Sequence, residues 1–227
     1  MDNSEIIIDL KGVSFGYHGN QSQRPVLHEL NLQITRGERV GLIGPNGSGK
    51  TTLFHLLMGL LKPSQGEIVV FGKKRQQEKD FREVREKIGL LFQDADDQLF
   101  CPTVAEDVAF GPLNLGKSQE EALEVTRQVL KRLGLEEFKD RLTYKLSGGE
   151  KRLISLATVL AMQPEVLVLD EPTTGLDEDT VERLIQILTS SDLTYLIASH
   201  NRDFLSRTID IVYHLGGGKL ERSPDIS

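Results

Sequence analysis

Between Gly44 and Thr51 the chain reads GPNGSGKT, which satisfies G-x-x-x-x-G-K-[ST]. In such a loop glycines let successive backbone amides turn toward a phosphate, the lysine reaches the β- and γ-phosphates, and the following hydroxyl can ligand Mg²⁺. Gly44, Pro45, Asn46, Gly47, Ser48, Gly49, Lys50, Thr51 and Thr52 therefore read as the cradle of a nucleoside triphosphate. A second glycine-rich stretch, LSGGEKRL at 146–153, sends Ser147, Gly148 and Gly149 into a helix, whose free amides and dipole make another place for negative charge.

Acidic groups complete the first cradle. EVLVLDEP has an apolar strand delivering Asp170 to its end, where a carboxylate can hold Mg²⁺, and Glu171 next to it, where a carboxylate can deprotonate an attacking water. The second carboxylate favours hydrolysis over transfer of the phosphate to another substrate. His18, His28, His55 and His214 show no zinc-ligand spacing with one another or with Cys101, so no structural metal is expected.

These residues need elements to position them. VLHELNLQI puts Leu30, Leu32 and Ile34 on one face and Asn31 and Gln33 on the other, the period of a half-buried antiparallel strand. Val40–Ile43, Val166–Leu169 and Tyr195–Ala198 are short, essentially unbroken apolar runs, which predict strands of a parallel sheet covered on both faces. TTLFHLLMGL, with Leu53, Leu56, Leu57 and Leu60, predicts a helix after the phosphate loop. SQEEALEVTRQVLKRLG opens with Ser118 and Glu121 at capping-box spacing, carries Ala122, Val125, Val129 and Leu133 as a stripe, and stops at Gly134. Thr103 and Glu106 repeat the start signal, and DIVYHLGGGKL predicts a closing hairpin around Gly216–Lys219. The expected fold is α/β: residues 1–94 and 163–227 form a core of parallel sheet with an N-terminal antiparallel β region, and 95–162 form an inserted helical subdomain.

The whole pattern resembles the nucleotide-binding ATPase subunit of an ABC transporter, over nearly the full chain. Besides the phosphate loop and the VLVLDE strand, Gln93 in LLFQD stands where that family has its Q-loop, and LSGGE where it has its signature motif, usually LSGGQ. GLD at 175–177 fits the D-loop and His200, ending ASH, the switch histidine. The resemblance implies ATP and Mg²⁺ as ligands, with metal held by Thr51, Asp170 and Gln93. It implies Glu171, His200 and Lys50 as catalytic residues. It also implies a signature cradle of Ser147, Gly148 and Gly149 that closes over ATP held by a second subunit, in a homodimer or heterodimer. Tyr17, in VSFGYHG, either stacks on adenine or packs on the core.

The stretches QDADDQLFCPTVAEDVAFGP and ATVLAMQP are similar to those of energy-coupling-factor importer ATPases of prokaryotes, which serve cobalt, nickel or vitamin uptake. That similarity implies an integral membrane subunit docking near Gln93–Val104, where Leu99, Phe100 and Val104 are either the docking surface or core of the helical region. The C-terminal extension that many such subunits carry is not expected. The rival, a soluble ATPase of the same fold coupled to a ribosome or nucleic acid, is disfavoured by the lack of a second cassette and by composition. The chain has 227 residues, a formal net charge of −7 and no face-sized basic block, so nucleic acid is not expected as a partner. The mixed run KKRQQEKDFREVREK at 73–87 reads as solvated surface. A single cysteine and no stretch of roughly 18 apolar residues point to a cytosolic protein that reaches the cytoplasmic face of the membrane by docking.

Overall fold

The computed structural model describes residues 5–17, 25–190 and 193–223. Strands β1 (Ile6–Phe15), β2 (Leu27–Thr35), β4 (Gln65–Val70) and β5 (Lys73–Arg75) form an antiparallel sheet in the order β2-β1-β4-β5. A six-stranded sheet holds β3 (Arg39–Ile43), β6 (Ile88–Leu91), β7 (Val166–Asp170), β8 (Thr194–Ala198), β9 (Ile211–Gly216) and β10 (Lys219–Ser223), in the order β10-β9-β3-β8-β7-β6. All its pairings are parallel except the β9–β10 hairpin, which turns on Gly217 and Gly218.

The unalternating apolar runs are explained by two cores. Val166 and Val168 of β7 face one core, with the antiparallel sheet and helix α1 (Lys50–Leu57). Leu167 and Leu169 face the other, with helices α5 (Gly148–Ala161), α6 (Glu178–Thr189) and α7 (Arg202–Thr208). A strand covered on both sides has no solvent face to mark with polar residues.

Between 95 and 162 lie helices α3 (Val104–Asn114), α4 (Gln119–Leu133) and α5, with short 3₁₀ turns. Capping boxes start all three: Thr103 with Glu106, Ser118 with Glu121, and Ser147 with Glu150. The backbone pairing there that belongs to no strand is a bridge between Thr103 and Leu142.

Sequence periodicity misplaced some side chains. The fully buried positions of α4 are Ala122, Thr126, Leu130 and Leu133, while Val125 and Val129 are half-buried and pack against the core beside them. Leu60 lies beyond the end of α1 and is half-exposed, because the chain turns at Met58–Gly59 and the Leu60 N–H bonds back to the His55 carbonyl at 2.8 Å. The charged run at 73–87 is not uniformly solvated: it forms β5 and helix α2 (Glu78–Lys87), with Phe81, Val84 and Arg75 buried. Val104 is 0% exposed at the base of α3, so it belongs to the core and cannot meet a docking partner, whereas Phe100 is 65% exposed. No helix among the described residues is long and apolar enough to cross a membrane.

Candidate functional site

The phosphate loop leaves the C-terminal end of β3 and closes into α1. Gly49, the residue before that helix, has φ +105°, and an added Cβ would lie 2.6 Å from Leu27, so a side chain is excluded there twice over. Lys50 is buried, and its ammonium donates to the carbonyls of Gly44 (2.7 Å) and Pro45 (3.3 Å). Burial pushes the Lys50 ammonium below its ordinary range, opposed by the charges of Glu171 and then Asp170. The Ser48 hydroxyl is buried with no partner in the protein, a donor the loop leaves for a ligand.

β7 brings the carboxylates to this loop. Asp170, 2% exposed, accepts a 2.6 Å hydrogen bond from the Thr51 hydroxyl. Burial pushes its carboxyl up, and the Thr51 bond and the Lys50 charge pull it back. Glu171 follows in the left-handed region, with φ +49°. Its N–H donates to the Ala198 carbonyl at 2.8 Å, which ties the ends of β7 and β8. His200, two residues past β8, turns back over both. Its Nε2 lies 3.0 Å from Asn46 Oδ1, 3.3 Å from Glu171 Oε1 and 3.5 Å from the Lys50 ammonium. Nε2 thus sits at the meeting point of the phosphate loop, Lys50 and the Glu171 carboxylate. Glu171 Oε1 itself is buried without a hydrogen bond.

These groups line one cavity of about 530 Å³, walled by Tyr17, Val26, Asn46–Thr52, Gln93, Asp170, Glu171, Thr174 and His200. Tyr17 is 49% exposed at the rim, edge-on to Phe15 at 4.9 Å, and its hydroxyl is 3.1 Å from that of Thr52. The ring thus stands on the phosphate loop, half-exposed at the cavity rim. Gly44 and Pro45 support Lys50 from below through their carbonyls. For a metal the cavity provides oxygen donors, the Thr51 hydroxyl beside the Asp170 carboxylate, with the Gln93 side chain at the same wall. That set suits Mg²⁺, which takes few protein ligands and completes its shell with water and phosphate. Among the described residues no group of three or more His, Cys, Asp or Glu side chains is placed to hold a metal. His18 lies outside the described residues.

Ser147, Gly148 and Gly149 are not brought into the cavity. The Ser147 hydroxyl accepts from the Glu150 N–H, and the Glu150 carboxylate accepts from the Ser147 N–H at 2.7 Å and pairs with Arg141 at 3.1 Å. A Cβ on Gly149 would sit 3.0 Å from the Gly175 carbonyl, but a Cβ on Gly148 would meet nothing within 4 Å, and φ there is not positive. Nothing among the described residues requires glycine at 148.

Sequence reasoning missed Val26 and Thr174 as walls, and it missed Arg152. Arg152, 4% exposed on α5, donates to the carbonyls of Phe92, Gln93 (2.8 Å) and Glu171 (2.9 Å). Its place one turn after the SGG stretch was the available signal, but a charged residue in EKRL reads as solvated.

Comparison with known proteins agrees with this geometry. A family model described as "ABC transporter" matches residues 27–174. The energy-coupling factor transporter ATP-binding protein EcfA of Methanothermobacter thermautotrophicus is 44% identical over 218 residues, spanning 94% of this chain and 69% of that protein. Among solved structures, cbiO1 from Clostridium perfringens, described as part of the ABC transporter complex cbiONQ, is 36% identical with TM-score 0.82, covering 96% of this chain and 87% of that one. The cassette MJ0796, described as dimeric, is 30% identical with TM-score 0.87, covering 95% and 97%. With the family model spanning the phosphate loop, the signature helix and the carboxylate strand in one match, this chain belongs to the ATP-binding, ATP-hydrolysing subunits of ABC transporters.

Proposed function

We propose that this subunit binds ATP in the cavity around Lys50 and completes the site with the Ser147–Gly149 cradle of a second subunit, identical or homologous. The observation that carries this is the division of the site. The acid–base groups share one cavity, while the second anion cradle lies outside it and keeps open space at Gly148. A glycine that no described residue requires is accounted for by a ligand reaching it from outside, and the likeness to a cassette described as dimeric supports that reading.

In this reading the loop amides and Lys50 hold the β- and γ-phosphates, and Tyr17 offers its half-exposed ring to adenine. Thr51, Asp170 and Gln93 would hold Mg²⁺, which when bound would supply positive charge against that of the phosphates. Glu171 takes a proton from water as the water oxygen bonds to the γ-phosphorus and the bond to ADP breaks. His200 donates from Nε2 to the γ-phosphate. The signature helix adds its N-terminal amides and the positive end of its dipole.

The work done by closure is conformational drive on an integral membrane subunit. Its docking surface runs from Gln93 to Phe100 and continues on Phe110, whose ring meets Phe100 at 4.7 Å beside an apolar groove with Leu60, Phe92 and Met162. Similarity to EcfA and to cbiO1 supports an importer of the energy-coupling-factor type, taking up cobalt, nickel or a vitamin, with this subunit at the cytoplasmic face of a prokaryotic membrane and no nucleic acid involved.

The test is Glu171→Gln, assayed for ATP turnover and for mass in solution with and without ATP. The expected result is a stable ATP-dependent dimer with turnover suppressed at least about 100-fold. Wild-type turnover would remove the base assignment, and a monomer at saturating ATP would remove the shared site.

A further inference from the structure

Arg152 is a buried charge whose hydrogen bonds all run to main-chain carbonyls, those of Phe92, Gln93 and Glu171. A buried guanidinium is costly unless its donors are satisfied, and a peptide carbonyl that loses such a donor is left short. The arrangement therefore fixes several strand ends at once. Phe92 and Gln93 follow β6, Glu171 follows β7, and Glu171 in turn is bonded through its N–H to Ala198 at the end of β8. Arg152 itself stands on the helix that begins with Gly148, one turn inward from it.

Glu171 needs such support. A non-glycine residue in the left-handed region is strained and persists only where its surroundings hold it. Here the N–H is held by Ala198, while the carbonyl accepts from Arg152 at 2.9 Å and from the Thr174 N–H at 3.2 Å. The backbone angle sets the direction of the Cα–Cβ bond, so whatever fixes the Glu171 peptide fixes the base from which its side chain enters the cavity.

We infer that Arg152 is a positioning residue for hydrolysis: it sets the left-handed turn at Glu171 and the Gln93 peptide against the signature helix, so that capture of an anion at Gly148 and alignment of the Glu171 carboxylate are parts of one rigid motion. This rests on the reading of Glu171 as the base. A side chain that merely stabilised the fold would not separate nucleotide affinity from turnover.

The test uses the full chain with Arg152→Lys and Arg152→Met, measuring kcat and KM for ATP and the affinity for a fluorescent ATP analogue, with Glu171→Gln in parallel. Arg152→Met is expected to lower kcat by about 10- to 100-fold with KM and affinity within about twofold, and Arg152→Lys, which keeps a donor, to recover part of the loss. In the Glu171→Gln background, Arg152→Lys is expected to cost little more. Unchanged kcat, an equal loss of kcat and affinity, or failure of both variants to fold would overturn the inference. If Arg152→Met alone fails to fold, Arg152→Lys decides by the same criteria. Full turnover in Glu171→Gln would instead overturn the base reading, so the two failures are distinct.

Discussion

The Thr51 hydroxyl donates to Asp170 Oδ2 at 2.6 Å, joining the first turn of α1 to the end of β7 across 119 residues of sequence. Because Asp170 is buried, Thr51→Ala leaves a desolvated carboxylate short of a donor. The expected loss is about 1–3 kcal/mol in urea unfolding without nucleotide, together with loss of Mg²⁺-stimulated turnover. Thr51→Ser, which retains the hydroxyl, is expected to keep most of both.

Gly148 separates folding from catalysis. With open space around its missing side chain, Gly148→Ala is expected to leave the fold intact or to stabilise it by up to about 1 kcal/mol, as alanine does within a helix. Its ATPase activity is nevertheless expected to fall at least about tenfold, because in the proposed shared site the added methyl would stand where the ATP of a second subunit approaches. A thermal melt and a turnover assay on the same preparation check both halves. Normal turnover would remove the cradle from the reaction.

Glu150 gives a pH dependence with a defined sign. Its carboxylate is held below the ordinary value of 4.5, first by the Ser147 N–H, then by the Ser147 hydroxyl and by Arg141. A carboxyl depressed in the folded state contributes stability above its unfolded value and loses it as the pH falls through the folded one. The stability gap between wild type and Glu150→Gln is therefore expected to be constant near neutrality and to shrink below about pH 4.5. Denaturant titrations at stepped pH measure this, and a gap that widens on acidification contradicts the assignment.

Tyr17 distinguishes stacking from simple packing. Tyr17→Ala is expected to weaken ATP binding by roughly 5- to 150-fold, the span of a lost base–aromatic stack of about 1–3 kcal/mol. Tyr17→Phe, lacking only the hydroxyl contact with Thr52, is expected to change affinity much less. Equal, small effects from both would place the ring with the core rather than the ligand.

The parts legible in the sequence were those encoded by neighbours along the chain. The phosphate loop, the capping boxes at Thr103 and Ser118 and the hairpin around Gly217 and Gly218 all depend on residues within a few positions of one another, and each forms where its spacing predicts. What the pattern could not supply was decided by packing at a distance. Arg75 lies in a charged run that reads as solvated, yet it is buried with its guanidinium on the carbonyls of Val70 and Asp80, and Arg152, which no pattern singles out, is buried because carbonyls from two distant segments receive it. Val104 differs from Phe100 only in which side of the α3 entry it occupies, a matter of fold rather than composition.

The separation between the Lys50 cavity and the Gly148 cradle has a genetic consequence. In the proposed shared site, a chain crippled only at Lys50 and another crippled only at Gly148 would each be inactive as self-pairs. Co-assembled, they pair one doubly damaged centre with one built entirely from undamaged halves. Mixing two dead proteins should therefore restore hydrolysis, to at most one working centre per mixed pair.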